Sequence, residues 1–493
     1  MKINIKLIFT AVLLSLGATS CKEFLKEEVY TEYDPKTFLK DKSGVDALLT
    51  GAYARSRIVG NDSRNYTFIF NEFNTDIAWE TGGGLEAQAI PFIQFTWPVN
   101  ENLLNAFWIK MYQAIASANA VLDVANDLKG LDRTTVDLVK AEARFIRASS
   151  YYFLLNLFGS TPIIEIPKGS TPDEIEAIGK TTPRPGNEEF IKYLVSDLEF
   201  AAEKLLTIEN PIGKASKGAA LGVLTKLYLH EKNWTKVAET TKRVMDLNYY
   251  SLYADYTTMF SIQGEGNKEY IYRAPCIAQI GYENNYIPHA FPPNYPILSS
   301  WVNYGAQFRT YTAFYKTFEE SDLRRKLFIT AYADLSGKQI QLLEDATGKA
   351  LNNVRSFKYT PDPNAVGPNN GNDIVYIRYA DILLSRAEAL NELFGPNAEA
   401  VELTNQVRRR VKASEVTQAG FPTKTDLRDF LLAERGREFY TEGLRREDLI
   451  RHGKFISGGR TRGWNAKDYQ VLYPIPQQQI DANKNLEQNT GYY

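Results

Sequence analysis

The sequence predicts a mostly α-helical protein in which tetratricopeptide-like helix pairs form a scaffold and a loop-rich part carries a few short strands. Three observations lead to this fold class. Apolar residues recur at every third or fourth position over long stretches, which is typical of packed helices. Residues 217–248 have the pattern of two helices that meet through small residues. Residues 249–372 are rich in Pro, Tyr, Gly and Asn, with only short apolar runs.

Helices dominate the first half of the chain. They are predicted over residues 37–55, 103–128, 136–158 and 188–206. The second half of the 136–158 helix is apolar nearly all round, so we expect it to be buried among other helices. Gly159 ends it, and Pro162 prevents its continuation. Residues 61–84 are mixed with a glycine-rich loop at 81–84, and residues 167–185 are predicted to be a connector.

Three helical hairpins make up the predicted scaffold. They pair residues 103–128 with 136–158, the two halves of 217–248 across Asn233, and 374–393 with 398–412. In the second hairpin, Ala219, Ala220 and Gly222 are small enough to let the helices approach closely. Between the last two hairpins we expect long loops, a short apolar segment at 270–274 and one helix near 311–320. Loops of this length in a compact protein are usually functional, and their aromatic content argues against disorder.

Composition excludes several classes of function. The 493 residues carry a formal net charge of −2, which gives no broad attraction to nucleic acid. With only Cys21 and Cys276, a cysteine-rich zinc site cannot be built, and the three histidines lie far apart without a zinc-enzyme motif. No metal, cofactor or catalytic residue is predicted.

The N-terminus has the pattern of a lipoprotein signal. Lys2 and Lys6 precede a short apolar run at 7–17, which is too short to span a bilayer, and small residues lead directly to Cys21. This resembles a bacterial lipobox, although Ala18 stands where Leu is usual, and it implies cleavage before Cys21 and acylation of that cysteine. Two or more acyl chains would anchor the protein stably. The alternative is an ordinary secretory signal with an incidental cysteine.

Several motifs resemble one known family. Residues 141–162 have the form A-E-A-R-F-I-R-A-x-x-Y-Y-x-L-x-x-x-F-G-x-x-P, and residues 378–391 read RYADILLSRAEALN. Residues 434–451 read ERGREFYTEGLRREDLIR, with Phe439 where Leu is usual, and a closing segment follows from Tyr473 to Tyr492. In this order and over most of the chain, these motifs are similar to those of the SusD/RagB-like surface lipoproteins, which capture nutrients for an outer-membrane transporter.

The resemblance implies a function and a domain order. It implies a lipid-anchored protein of the cell surface that captures an oligosaccharide or polysaccharide and passes it to a SusC-like TonB-dependent transporter. The ranges implied are a signal peptide (1–20), a lipidated leash (21–36), an N-terminal helical region (37–248), a loop-rich ligand-binding region (249–372) and a C-terminal helical region (373–493).

Candidate ligand-binding residues come from two sources. Trp97 and Asn100 resemble the Trp-x-x-Asn step of the family, and Asp76 resembles its early acidic residue. Sugar rings stack on aromatic faces, and polar side chains nearby can bind their hydroxyls. The aromatic residues of the central loops and one nearby arginine are therefore further candidates, chosen from composition alone. These are Tyr282, Tyr286, Tyr295, Trp301, Tyr304 and Arg309. The alternative role for each aromatic residue is to hold a long loop against the scaffold.

Other functions remain open from the sequence. The charged residues of 434–451 could suggest a catalytic cluster, but their mixed signs at steps of three and four favour ion pairs along a helix. Asp76 and Glu80, if helical, would share one face and could suggest a surface glycoside hydrolase. A peptide binder of the RagB branch and a purely structural scaffold are further alternatives.

Overall fold

The computed structural model describes residues 42–58, 64–125, 127–128, 132–209, 212–305 and 307–492. The predicted signal peptide (1–20), the acylation site at Cys21 and the leash (21–36) lie outside the described residues. In the part of the chain that is described, no helix is both long enough and apolar enough to cross a membrane.

The mostly helical class is confirmed. In chain order the α-helices are α1 (Lys42–Ser56), α2 (Glu86–Gln94), α3 (Asn102–Ala125), α4 (Arg133–Phe158), α5 (Pro172–Thr181), α6 (Asn187–Lys204), α7 (Lys217–His230), α8 (Trp234–Met245), α9 (Tyr286–Ala290), α10 (Thr312–Tyr315), α11 (Tyr379–Phe394), α12 (Ala398–Arg410), α13 (Lys424–Phe439), α14 (Arg445–Arg451), α15 (Phe455–Thr461) and α16 (Gln477–Ala482).

Antiparallel helix pairs pack side by side into one stack. Contacts run from α1 to α3, then through α4, α6, α7, α8 and α11 to α12 and α13. The three predicted hairpins are therefore the pairs α3–α4, α7–α8 and α11–α12. Helix α4 lies inside the stack, and every residue from Ala148 to Phe158 is buried.

Local sequence explains where these helices begin and how closely they pack. The carboxylate of Asp132 accepts a hydrogen bond from the Thr135 amide at 2.9 Å and caps α4. Asn233 caps α8 in the same way, at the predicted break between two helices. A Cβ atom at Gly222 would stand 3.1 Å from two Ile377 carbons, so α7 approaches this neighbour closely because the residue is small.

Short strands form four two-stranded antiparallel sheets in the described residues. The strands are β1 (Ala78–Glu80), β2 (Tyr270–Ala274), β3 (Phe308–Thr310), β4 (Phe328–Ile329), β5 (Ala331–Ala333), β6 (Gln339–Gln341), β7 (Arg355–Ser356) and β8 (Ile374–Arg378). They pair as β1–β3, β2–β8, β4–β7 and β5–β6. Two of the sheets thus join the loop-rich part to segments far away in sequence.

Several predicted boundaries were wrong. Residues 374–378 are strand β8, and α11 begins only at Tyr379, because an apolar run does not by itself distinguish a strand from a helix. The helix predicted near 311–320 is reduced to the single turn α10. The predicted connector 167–185 contains α5, whose first turn is stabilised by reciprocal hydrogen bonds between Thr171 and Glu174.

The charged segment 434–451 is structural, but its geometry differs from the prediction. Residues 440–444 interrupt the helix, with α13 before and α14 after. Four of its five acids are buried, and they pair mostly with cations of other elements rather than along one exposed face. Glu438 lies 2.6 Å from Arg378 and 3.0 Å from Arg324, and it also contacts Arg410. Burial opposes ionisation of Glu438, but these cations outweigh it and lower its pKa to about 2.

Candidate functional site

The pairing of β1 with β3 brings aromatic and basic side chains together at the surface. Trp79 is the direct partner of Arg309 in this ladder, and the guanidinium carbon of Arg309 lies 5.1 Å from the Trp79 ring centroid. The Tyr311 ring is nearly parallel to that of Trp79, at 16° and 6.2 Å between centroids. All three side chains are partly exposed. We call Trp79, Arg309 and Tyr311 the aromatic ledge.

Hydrogen bonds with Asn352 hold Trp79 of the ledge and the neighbouring Thr312 in place. The Trp79 indole N–H donates to the Asn352 carbonyl at 2.9 Å. The Asn352 side-chain oxygen accepts from the Thr312 amide, and the Asn352 amide donates to the Thr312 hydroxyl, both at 3.1 Å. Because the indole N–H is bonded to the backbone, the Trp79 ring is held in one orientation.

A carboxylate and two arginines lie beside the ledge. Asp76 accepts two hydrogen bonds of 2.7 Å from Arg445, yet its side chain remains 45% exposed. Arg462 donates to the Asn74 carbonyl at 2.6 Å and is close enough to Tyr311 and Asp76 to interact with both electrostatically. Surrounding protein raises the pKa of Asp76, but Arg445 and Arg462 outweigh this effect and hold the pKa below its ordinary value. The group is therefore a fixed anionic acceptor.

The structure places the two residues of the Trp-x-x-Asn step differently. Trp97 is buried, with 4% of its surface exposed, among Phe92, Phe95 and Tyr473. Its indole N–H donates to the Tyr492 hydroxyl at 2.8 Å. Its ring has no exposed face on which a sugar could stack, so the expectation of a stacking platform does not fit its packing. Asn100 is exposed in the turn before α3.

Three loop aromatics pack mainly against the protein. Tyr286 is buried beside Phe68 and Phe308, and its hydroxyl donates to the Ser356 carbonyl, so the expected contact with ligand does not fit its position. Tyr295 and Trp301 are partly buried and both stack on Phe291, at 5.8 Å between centroids. They hold this loop in place, as the alternative role assigned to loop aromatics requires.

Two other loop tyrosines are exposed, at separate places. Tyr304 keeps 43% of its surface exposed and lies 4.8 Å from the His289 ring. Tyr282 keeps 48% exposed and has Arg57 over its ring, at the rim of a cavity that includes no residue of the ledge. The predicted residues therefore do not form one site: of these residues, only Arg309 belongs to the ledge, and Asp76 lies beside it, near Tyr311.

Sequence reasoning missed Trp79, Tyr311 and Arg462. Trp79 stands three residues after Asp76, so proximity to a candidate acid could have drawn attention to it. Tyr311 and Arg462 carry no such signal, because they come near Asp76 only through the β1–β3 pairing and the fold of the C-terminal region.

The acid pair considered for a glycoside hydrolase is not formed. Glu80 belongs to strand β1 rather than to a helix and is buried, with 1% of its surface exposed, whereas Asp76 is bound by Arg445. No group of three or more His, Cys, Asp or Glu residues in the described ranges is arranged to hold a metal ion.

Two family models match this chain in separate ranges. Residues 299–492 match the model described as "SusD family", and residues 23–229 match the one described as "Starch-binding associating with outer membrane". The two ranges together span most of the sequence.

Similar proteins cover the full length. The chain is 26% identical to a "SusD-like protein" of Formosa agariphila, over 99% of this chain and 100% of the relative. It is 25% identical to the "Starch-binding protein SusD" of Bacteroides thetaiotaomicron, over 99% of each. A solved "Laminarin binding SusD-like protein" superposes with a TM-score of 0.77 at 22% identity, covering 92% of this chain and 100% of that one. At that identity the structural likeness shows the shared fold.

Proposed function

This chain belongs to the SusD/RagB-like family, and we propose that it captures an oligosaccharide or polysaccharide at the outer membrane without changing its bonds. The aromatic ledge is the proposed binding surface. Two relatives carry names that describe binding of starch and of laminarin, both of which are glycans. The description of the family model that matches residues 23–229 also mentions association with the outer membrane.

One observation carries the proposal: the rings of Trp79 and Tyr311 are parallel and partly exposed, Arg309 lies over Trp79, and Asp76 is close enough to Tyr311 to interact with it electrostatically. The C–H faces of a sugar ring pack on flat aromatic surfaces, and its hydroxyls pair with charged acceptors and donors. The ledge residues are partly exposed at the surface rather than buried. An open face suits a chain that extends past it, whereas capture of a peptide favours a closed cavity that bonds the backbone.

The anchoring and the transfer step complete the proposal. Acylation at Cys21 would hold the protein at the membrane, and a SusC-like TonB-dependent transporter would receive the glycan. The outer face of the helical stack is the surface proposed for the transporter, with an interface above about 2,000 Å², as obligate complexes have.

Substitution of Trp79 tests the ledge. We expect Trp79→Ala to weaken binding of laminarin or starch by about tenfold or more, because central aromatic anchors dominate such contacts. Isothermal titration calorimetry of the full chain would measure this. Trp234→Ala is the matched control, since Trp234 is also partly exposed but lies at the start of α8, on the stack.

Three results would overturn the proposal. One is equal glycan affinity of the two tryptophan variants, the second is binding of unstructured peptides instead of glycans, and the third is release of reducing ends from the polysaccharide. Mass spectrometry of the membrane-bound protein tests the anchor, where an unmodified Cys21 would contradict acylation.

A further inference from the structure

A separate cavity of about 830 Å³ opens at the C-terminal end of α1. Its walls come from the last turns of α1, the end of β2 and the loop that follows β2. Neither the ledge nor Asp76 contributes to its lining. Small-molecule sites in proteins commonly measure about 300–1,000 Å³, so this space can hold one or two sugar residues.

Basic side chains dominate the charged part of the lining. Arg57, Lys110, Lys214 and Arg273 line the cavity, whereas Glu283 is the acidic side chain among its described lining residues. Lys214 and Arg273 are compensated by carboxylates that are not in the lining. Lys214 pairs with Glu142 at 3.1 Å, and Arg273 pairs with Asp373 at 2.6 Å.

Arg57 has a different environment. It is partly buried, and its guanidinium donates to the Pro275 carbonyl. No carboxylate within the described ranges forms an ion pair with it. Removing a guanidinium from water is costly unless an anion compensates it, so an incoming negative group would gain an unshared partner here.

Tyr282 provides a flat surface beside this cation. The guanidinium carbon of Arg57 lies 5.6 Å from the Tyr282 ring centroid, and 48% of the tyrosine surface is exposed. Ile212 and Ile280 are exposed at the rim of the same cavity. A ring with apolar C–H faces can pack against Tyr282 and Ile280 while a charged substituent reaches Arg57.

We propose that this cavity is a second saccharide site, selective for a sugar residue that carries a carboxylate or a sulfate group. Both groups offer anionic oxygens that a guanidinium can bind through two parallel N–H donors. The site is independent of the aromatic ledge, which takes the uncharged part of a glycan. A polymer that occupied both sites would gain affinity from the linkage of two binding events.

Charged and neutral polysaccharides test the proposal with the full chain. Calorimetry would measure the binding of dextran sulfate, as the sulfate probe, and of polygalacturonate, as the carboxylate probe. Both would be compared with uncharged dextran. We expect at least one charged polymer to bind more tightly than dextran, with an affinity that falls as salt is added. Arg57→Gln should weaken that binding about tenfold or more, the effect of losing a charge-assisted hydrogen bond.

Matched variants separate this site from its surroundings. Arg55→Gln makes the same change two residues earlier, on an exposed side chain of α1, and should bind the charged polymer as the unaltered chain does. Tyr282→Ala alters an exposed residue and should weaken binding without disturbing the fold. Trp79→Ala should weaken binding of the charged polymer less than Arg57→Gln does, because the ledge would contact only the uncharged part of the polymer.

Several outcomes would overturn the second site. They are equal binding of the Arg57 and Arg55 variants, absence of binding by both charged polymers, and a larger loss of their binding in the Trp79 variant than in the Arg57 variant. The comparison of the sulfated polymer with the carboxylated polymer identifies the anionic group that Arg57 binds. Failure of the ledge experiment alone would leave this result unchanged.

Discussion

Gly443 shapes the turn that presents Arg445 to Asp76. Its φ is 74°, and a Cβ atom there would lie 2.8 Å from the Thr67 Cα. Its amide and that of Thr441 donate to the buried carboxylate of Glu72 at 3.1 Å and 2.5 Å. The turn thus depends on a residue without a side chain at position 443 and on the buried carboxylate of Glu72 as acceptor.

Replacing this glycine should therefore be costly. We expect Gly443→Ala to lower the free energy of unfolding by more than about 2 kcal/mol, from strain at positive φ and from the clash with Thr67. Gly453→Ala is the control, because Gly453 has a φ of 68° but nothing within 4 Å of the added Cβ, and we expect a loss of about 1 kcal/mol. Urea unfolding measures both. Equal losses would mean that the contact with Thr67 is unimportant.

Single residues of the candidate site were only partly predictable. The motif resemblance predicts Asp76 and composition predicts Arg309; Arg309 contacts Trp79 in the ledge, and Asp76 lies near Tyr311. The motif resemblance predicts that Trp97 stacks on a ligand, but its ring is buried and its indole N–H donates to Tyr492, which is 395 positions away. Pattern along the chain shows that an aromatic residue is present, but not whether distant segments cover it.

At the scale of elements, buried ion pairs tie helices to loops. Glu438 of α13 faces Arg378 at the end of β8, Arg410 at the end of α12 and Arg324 in the loop-rich part. The side chains of Arg378, Arg324 and Glu438 are at most 1% exposed. Removing one partner of such a set leaves charges buried without compensation.

Glu438→Gln should accordingly destabilise the protein by about 3–5 kcal/mol near neutral pH. Glu402→Gln is the matched control, because Glu402 pairs with Arg409 at 3.4 Å while 53% of its side chain is exposed. A pair of that kind contributes about 0–1 kcal/mol. Denaturant unfolding of both variants checks the difference, and a loss below about 1 kcal/mol for Glu438→Gln would contradict the role of the network.

Elements with a clear period were predicted well, and short ones were not. Helix α4 was predicted from its apolar spacing and its terminal Gly159, and the structure extends it by three residues at the start. Strand β8 was merged with α11, because its residues are buried on both sides and continue the apolar pattern of the helix. Its pairing with β2, about a hundred residues earlier, is a long-range tertiary contact that the local sequence does not predict.

At the scale of the whole molecule, one stack of helices crosses the predicted divisions of the chain. Contact between α8 and α11 joins the region before residue 249 to the region after residue 372. The loop-rich part is inserted between these two helices, and β2–β8 pairing closes its ends. The division of the chain at residues 248 and 372 remains a prediction about function rather than about separate cores.

Buried carboxylates that face cations, Glu438 among them, predict how the chain responds to acid. Cationic partners hold the pKa of Glu438 at about 2, and those of Glu434 and Asp381 also lie below their ordinary values, although burial opposes this. In the unfolded chain these groups regain ordinary pKa values near 4, so below that pH the unfolded state binds more protons than the folded state. The stabilisation is therefore complete above about pH 4.5 and is lost as pH falls toward 2.

We expect the free energy of unfolding to fall by about 1.4 kcal/mol per pH unit for each such carboxyl in this interval. Urea unfolding at a series of pH values measures the slope. The slope for the Glu438→Gln variant should be smaller by about 1.4 kcal/mol per pH unit, because this variant has lost one titrating carboxyl. The Glu402→Gln variant should retain the original slope. Identical slopes in the two variants would show that acid acts on other carboxylates.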